Sequence, residues 1–188
     1  MVTRNGLRLL CASALLWLSL SAAQAAELGK PEGPVVLTLA GEIQNTNRPA
    51  FDTSRDLFLK YQGKEFSAAA EFDYAMLEAL GMHQVEISIP AWPAPVRLEG
   101  PRLQDLMAAV GAGGKTALLV ALDGFASEIS WAEVTALDWI VGIKRDGKYL
   151  GLGQRGPLWV VYSYPDGRDL TDDDELRWPW ATFYIEVD

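Results

Sequence analysis

The chain has 188 residues, with 25 acidic against 16 basic side chains, a formal charge of −9, one histidine and one cysteine. A protein this acidic is repelled by nucleic acid and by anionic lipid headgroups. One histidine and one cysteine cannot assemble a zinc site of the usual kind. A Ser-His-Asp triad would have to use His83, which follows Gly81-Met82 at the expected end of a helix, a place for a surface histidine.

Residues 1–25 read as a cleavable secretory signal peptide. Arg4 and Arg8 give the positive start, residues 9–20 the apolar run, and Ala23-Gln24-Ala25 the small-x-small cleavage signature. The run is too short to span a bilayer comfortably, so direct membrane insertion is not expected. Cys11 falls inside this segment, too early for a lipoprotein signal and without the small residue such a signal needs before it. The mature protein is expected in the periplasm, two charges more negative than the whole chain and free of thiols. Disulfides, thiolate metal ligands and cysteine nucleophiles are thereby excluded from it. Residues 26–34 form a flexible Pro/Gly-rich leader, and residues 35–188 a single domain with a sizeable core.

Along that domain, residues 35–40 are apolar and β-branched, a first strand ending at Gly41. Residues 56–61 read as a short second strand. Residues 72–80 read as a helix capped by Asp73 and stopped by Gly81. Residues 85–89 alternate as a half-buried strand does, and Trp92 follows in a stiff loop between Pro90 and Pro93. Pro101 suits the first turn of a helix reaching Val110. Residues 116–122 are a buried strand that runs into Asp123-Gly124-Phe125. Ser130 and Glu133 make a capping box for a short helix through Ala136. Strands at 139–144 and 148–152 flank a hairpin at Arg145-Asp146-Gly147, and strands at 158–164 and 182–187 close the chain. Short strands interleaved with short helices predict a mixed α+β domain.

Standard catalytic constellations are missing. Gly111 to Thr116 lacks the spacing of a phosphate loop and follows a helix, so it is rejected. No carboxylate pair is seen to converge, which leaves glycosidase chemistry unsupported. The acidic run Asp166, Asp169, Asp172, Asp173, Asp174 and Glu175 reads as a solvated turn, with a calcium site as the alternative. Six of the seven tryptophans lie beyond the signal segment, more than the core of such a domain needs, and several are candidates for lining a pocket.

The second half of the chain carries an ordered set of motifs. They are Pro90-Ala91-Trp92, residues 98–107 (LEGPRLQDLM), Ala121-Leu122-Asp123-Gly124-Phe125 and the Asp146-Gly147-Lys148 hairpin. Gln154-Arg155-Gly156-Pro157-Leu158-Trp159-Val160-Val161-Tyr162 and Arg177-Trp178-Pro179-Trp180 follow. Order and spacing resemble the oxidoreductase molybdopterin-binding domain, the sulfite-oxidase-type fold, over nearly all of residues 35–188. The resemblance implies a single mixed-sheet α+β domain of that type. Large members ligate molybdenum through a cysteine thiolate; none is present beyond Cys11, and Arg4 and Arg8 are not the adjacent pair of the twin-arginine route that cofactor-loaded members use. Molybdenum is therefore not expected.

Small cysteine-less relatives act as periplasmic pterin-binding proteins that report to a membrane-bound cyclic-di-GMP enzyme. The resemblance thus implies a non-catalytic binding protein for a pterin, with the periplasmic region of an inner-membrane signalling protein as partner. A pterin is a flat heteroaromatic with a donor–acceptor edge, which suits aromatic or guanidinium planes and a few fixed polar groups. The implied ligand residues are Trp92, Asp123, Phe125, Gln154, Arg155, Gly156, Arg177 and Trp180. For Asp123 a turn-stabilising role competes, for Trp92 a hydrophobic plug, for Arg155 a solvent-facing position, and for Arg177 an ion pair with the preceding acidic run. A periplasmic molybdopterin-dependent oxidoreductase and an interaction module without a ligand remain the other readings.

Overall fold

Apolar runs bounded by glycine build most of the molecule. A computed structural model describes residues 28–188, and the signal segment at 1–25 lies outside the described residues. The first elements are β1 (Leu37–Gly41), α1 (Leu57–Tyr61), β2 (Ala70–Phe72), α2 (Tyr74–Ala79), β3 (His83–Ile87) and β4 (Val96–Gly100). Next come α3 (Leu103–Ala109), β5 (Ala117–Ala121), β6 (Ala126–Ile129), α4 (Trp131–Ala136) and β7 (Asp138–Gly142). The last part holds the two-residue strands β8 (Lys144–Arg145) and β9 (Lys148–Tyr149), a 3₁₀ turn at Leu152–Gln154, β10 (Leu158–Ser163), α5 (Asp172–Glu175) and β11 (Trp180–Val187). The protein is α+β, mostly sheet with a few short helices. No helix among the described residues is long and apolar enough to cross a membrane.

The larger sheet has the order β2-β1-β11-β10-β7, with β5 also paired to β11 and β6 to β5, and it forms a half-barrel. β11 is its spine. β1 runs parallel to its second half, with Thr38 opposite Tyr184, while β5 runs antiparallel to it. β10 pairs antiparallel with its first part, Leu158 opposite Thr182 and Trp159 opposite Trp180. One step along β10 thus spans two along β11, so Ala181 is the extra residue of a β-bulge, and its φ is +56°. Leu37, Leu39, Phe72, Leu103, Leu106, Trp159 and Ile185 are buried in the main core.

The smaller sheet, β3-β4-β8-β9, joins the larger one where β4 meets β7. The Val141 N–H donates to the Pro101 carbonyl at 2.8 Å and the Ile143 N–H to the Glu99 carbonyl at 2.9 Å. Only glycine fits this crossing, because a Cβ on Gly100 would lie 1.9 Å from the Val141 carbonyl oxygen.

Most expected elements form, with shifted ends. Residues 56–61 do not make the expected strand; they hold α1. There the Asp56 carboxylate, paired with Arg48, accepts the Asp52 N–H at 2.8 Å, and the Lys60 N–H donates to the Asp56 carbonyl at 2.9 Å. A turn is thereby fixed ahead of Leu57-Phe58-Leu59-Lys60, which then continues it as helix. Phe72 belongs to β2, so α2 starts at Tyr74, capped as expected by Asp73, which accepts the Met76 N–H at 2.9 Å. The other Asp73 oxygen takes the N–H groups of Glu32 and Gly33, tying the end of the leader to the domain. The Ser130–Glu133 capping box on α4 and the hairpin at residues 145–147 are both present. β2, β4 and β6 lie outside the expected strands, and α5 lies in the acidic run expected to be a solvated turn. Asp174 in α5 is buried, which corrects that expectation. Among the described residues no group of three or more His, Cys, Asp and Glu side chains is placed to hold a metal ion.

The Gly100 crossing is a direct test of how the sheets join. Gly100→Ala should cost about 1–3 kcal/mol through overpacking, lowering Tm by roughly 3–10 °C. An unchanged melting temperature would mean that the close approach of β4 to β7 is not part of the stable fold.

Candidate functional site

The first half of β11 and the loop before β10 bring several expected site residues to one end of the half-barrel. Arg155 follows the Leu152–Gln154 turn with φ +70°, a left-handed backbone unusual for a long side chain. Its carbonyl accepts the Ala181 N–H at 2.8 Å, and the Ala181 carbonyl accepts the Leu122 N–H at 3.0 Å. The bulge residue therefore links the Arg155 loop to the turn between β5 and β6. In that turn Asp123 Oδ1 accepts the Phe125 N–H at 3.0 Å, and Gly124 supplies the φ of +89° that the reversal needs.

The Arg155 guanidinium lies 4.3 Å from the Trp159 ring centre and 5.3 Å from that of Trp92. Arg155 is half-buried, and its Nη1 sits 3.1 Å from Glu175 Oε1. The Trp92 indole N–H donates to the other Glu175 oxygen at 3.2 Å, and its ring packs 5.6 Å from Trp159 and 6.1 Å from Trp178. Glu175 thus holds both the cation and the indole that face each other. Beside this stack lies a cleft of about 330 Å³, lined by Asp123, Phe125, Arg155, Glu175, Leu176, Trp178 and Trp180. Phe125 and Trp180 are 41% and 49% exposed, so their rings are available to a ligand. The volume is at the low end of the roughly 300–1,000 Å³ typical of small-molecule sites.

Of the expected ligand residues, Asp123, Phe125, Arg155 and Trp180 line this cleft, and Trp92 backs it through Arg155. Gly156 is buried under the Arg155 loop, where a Cβ would lie 2.3 Å from the Leu150 carbonyl oxygen. Gln154 lines a neighbouring cleft instead. Arg177 pairs with Glu133 of the α4 capping box at 2.5 Å, not with the acidic run. Trp159, Trp178, Glu175 and Leu176 were not among the expected site residues. The two tryptophans stood inside quoted motifs, but nothing in the spacing shows that Glu175 reaches back to Arg155 and Trp92.

Glu175 is held in place by its neighbours in α5. The Asp172 carboxylate accepts the Ala91 N–H at 3.0 Å, fixing the Trp92 loop. Asp174 points inward and accepts from both Tyr162 and Tyr164 hydroxyls, from the Thr171 N–H at 2.7 Å and from the Thr171 hydroxyl at 2.8 Å. Burial alone would raise the Asp174 carboxyl, but these four donors outweigh it and hold it at about 2. Burial pushes the Tyr162 phenol upward, and its bond to Asp174 adds to the effect.

A thiolate-ligated molybdenum centre does not fit these residues. The described part of the chain has no cysteine, and the loop after β3 offers the Trp92 indole toward Glu175. No protein-family model and no curated protein matches the chain.

The Asp174 latch makes stability pH-dependent in a defined window. Its folded pKa lies below the ordinary 3.8, so its contribution is complete above about pH 5 and is lost as pH falls toward 2. The shift corresponds to about 2 kcal/mol. Asp174→Asn should lower stability at pH 7 by at least about that much, and the gap to wild type should narrow below pH 3. Denaturant midpoints measured between pH 7 and 2 check this, and a gap that stays constant with pH would refute the latch.

Proposed function

We propose that this protein is a non-catalytic periplasmic binding protein of the sulfite-oxidase type that takes a pterin-like ligand in the aromatic cleft and reports it to an inner-membrane cyclic-di-GMP signalling enzyme. The observation that carries the ligand reading is the Arg155 guanidinium stacked on Trp159 and Trp92 at the edge of a cleft that also holds Trp180, Phe125 and Asp123. A flat heteroaromatic ring finds apolar faces in Trp180 and Phe125. Its amino and ring N–H edge finds acceptors in the Asp123 oxygen not engaged by Phe125 and in Glu175, and its carbonyl finds a fork of donors in Arg155. The fold class and the ordered motifs support the family reading, and the signal-like segment at 1–25 supports the location.

The reading of a binder rather than an enzyme rests on the donor set. The cleft offers one cation, two carboxylates and aromatic faces, and no thiolate or histidine that would bind a redox metal. Reporting to a partner needs only that the ligand favour one arrangement of a surface element. α5 qualifies, because Glu175 faces the cleft while Asp172 and Asp173 face solvent.

Fluorescence titration with oxidised and reduced pterins should show saturable binding, and elemental analysis should find no stoichiometric molybdenum. Trp180→Ala and Arg155→Lys should each weaken binding by about 5- to 150-fold, the equivalent of roughly 1–3 kcal/mol, with circular dichroism unchanged. Trp180 is half-exposed and Lys keeps the charge, so neither change should unfold the protein. Absence of pterin binding in the wild type would overturn the reading, and stoichiometric molybdenum would restore the oxidoreductase alternative. Recovery of the membrane partner from solubilised membranes should differ with and without pterin.

A further inference from the structure

Alternation along the β8–β9 hairpin divides its side chains between two faces. Lys144 and Tyr149 stand opposite each other and are engaged by α2. Lys144 Nζ lies 2.5 Å from Glu78 Oε1, the Tyr149 hydroxyl donates to the same oxygen at 2.7 Å, and the Tyr149 ring stacks on Tyr74 at 4.4 Å. Arg145 and Lys148, the next opposed pair, point the other way. With Asp146, Gly153, Gln154 and Arg155 they line a second cleft of about 540 Å³. Arg155 lines both this cleft and the aromatic one, so it forms a wall between them.

Like charges directly opposite on paired strands destabilise the pair. Here the one lining carboxylate, Asp146, is shared between Arg145 Nε at 3.6 Å and Arg97 Nε at 4.0 Å. Lys148 forms no ion pair among the described residues. A chain with a net charge of −9 therefore concentrates cations on one side of its candidate ligand cleft. An anion there would relieve the repulsion between Arg145 and Lys148 and would accept charge-assisted hydrogen bonds from both.

We propose that this second cleft is an anion subsite, holding a carboxylate or phosphate carried by the ligand whose ring occupies the aromatic cleft. The inference rests on the pterin reading above and narrows the ligand class to a planar heteroaromatic with an anionic tail. Arg155, its face taken up by Trp159 and Trp92, divides its N–H edge between the ring carbonyl and the tail, and Gln154, beside it, supplies a further donor to the anion.

Inorganic phosphate tests the subsite without any pterin. Backbone amide resonances of residues 145–148 and 153–155 should shift saturably in the wild type and stay fixed in the Arg145→Gln/Lys148→Gln double variant. These changes are exposed and remove a repulsion, so the variant should melt no lower than wild type. Next, 6-carboxypterin should bind about ten-fold more tightly than 6-hydroxymethylpterin, a gain of about 1.4 kcal/mol, and the double variant should lose that preference. Tighter binding still by 6-hydroxymethylpterin phosphate would assign the subsite to phosphate, and the reverse order to carboxylate. Phosphate that leaves these resonances unmoved, or neutral and anionic pterins that bind equally, would overturn the subsite even where the aromatic cleft binds a pterin. Phosphate binding with no affinity for any pterin would support the subsite and overturn the pterin reading.

Discussion

One extra residue in one strand organises this site. β11 must serve β1 and β10 on one side and β5 on the other, and its second half carries the buried Tyr184, Ile185 and Val187. At Ala181 its register slips by one against β10, and the backbone turns into the left-handed region. A bulge of this kind locally raises twist and re-aims side chains. Trp180 turns outward to the cleft while Thr182 stays buried. The bulge peptide groups, freed from the ladder, bond to Arg155 on one side and Leu122 on the other. Three segments distant in sequence are thereby fixed by backbone hydrogen bonds, whatever their side chains are.

Those bonds position the loops, and α5 positions the charges. A four-residue helix with no basic residue has little stability of its own. It holds because Thr171 and Asp174 make a capping box and because its acids suit a helix N-terminus. Asp174 in addition is anchored inward by two tyrosines from β10 and the loop after it. Three acids of the run thus have different surroundings: Asp172 holds the Trp92 loop, Asp174 the sheet, Glu175 the Trp92 indole and Arg155. Treating the run as one patch of charge misses all of this.

The same contrast marks what the sequence could and could not reveal. Local signals were legible: the Asp73 cap, the Ser130–Glu133 box and the hairpin at Arg145-Asp146-Gly147 each depend on residues a few positions apart. The α1 segment departs from the expected strand because Leu57 to Tyr61 is short and apolar, and the deciding contacts are made ahead of it by Asp56, with Arg48 and with the Asp52 N–H. For the site, Trp92, Phe125, Arg155 and Trp180 are named through the ordered motifs and the resemblance those motifs carry. Their convergence is not legible there, because it is made by Ala181, whose methyl group carries no chemical signal, and by Glu175, which resembles its acidic neighbours. Arg177 illustrates the converse. Its motif context pointed to the ligand, yet the β11 approach directs it to Glu133 on α4.

On the proposed reading, ligand capture and surface change are coupled over a very short path. Arg155 already has a carboxylate partner in Glu175, so a ligand that draws on the guanidinium competes with that ion pair. Loosening Glu175 also releases the Trp92 indole N–H, and with it one of the two ties between α5 and the Trp92 loop. Asp174 keeps the helix attached to the sheet while this happens, because it accepts from the Tyr162 and Tyr164 hydroxyls, and neither tyrosine lines the cleft. The mobile part is then confined to the surface that carries Asp172, Asp173 and the exposed Leu176. A partner that reads an acidic edge with one apolar contact would sense the ligand without any rearrangement of the core, whose close packing resists small displacements.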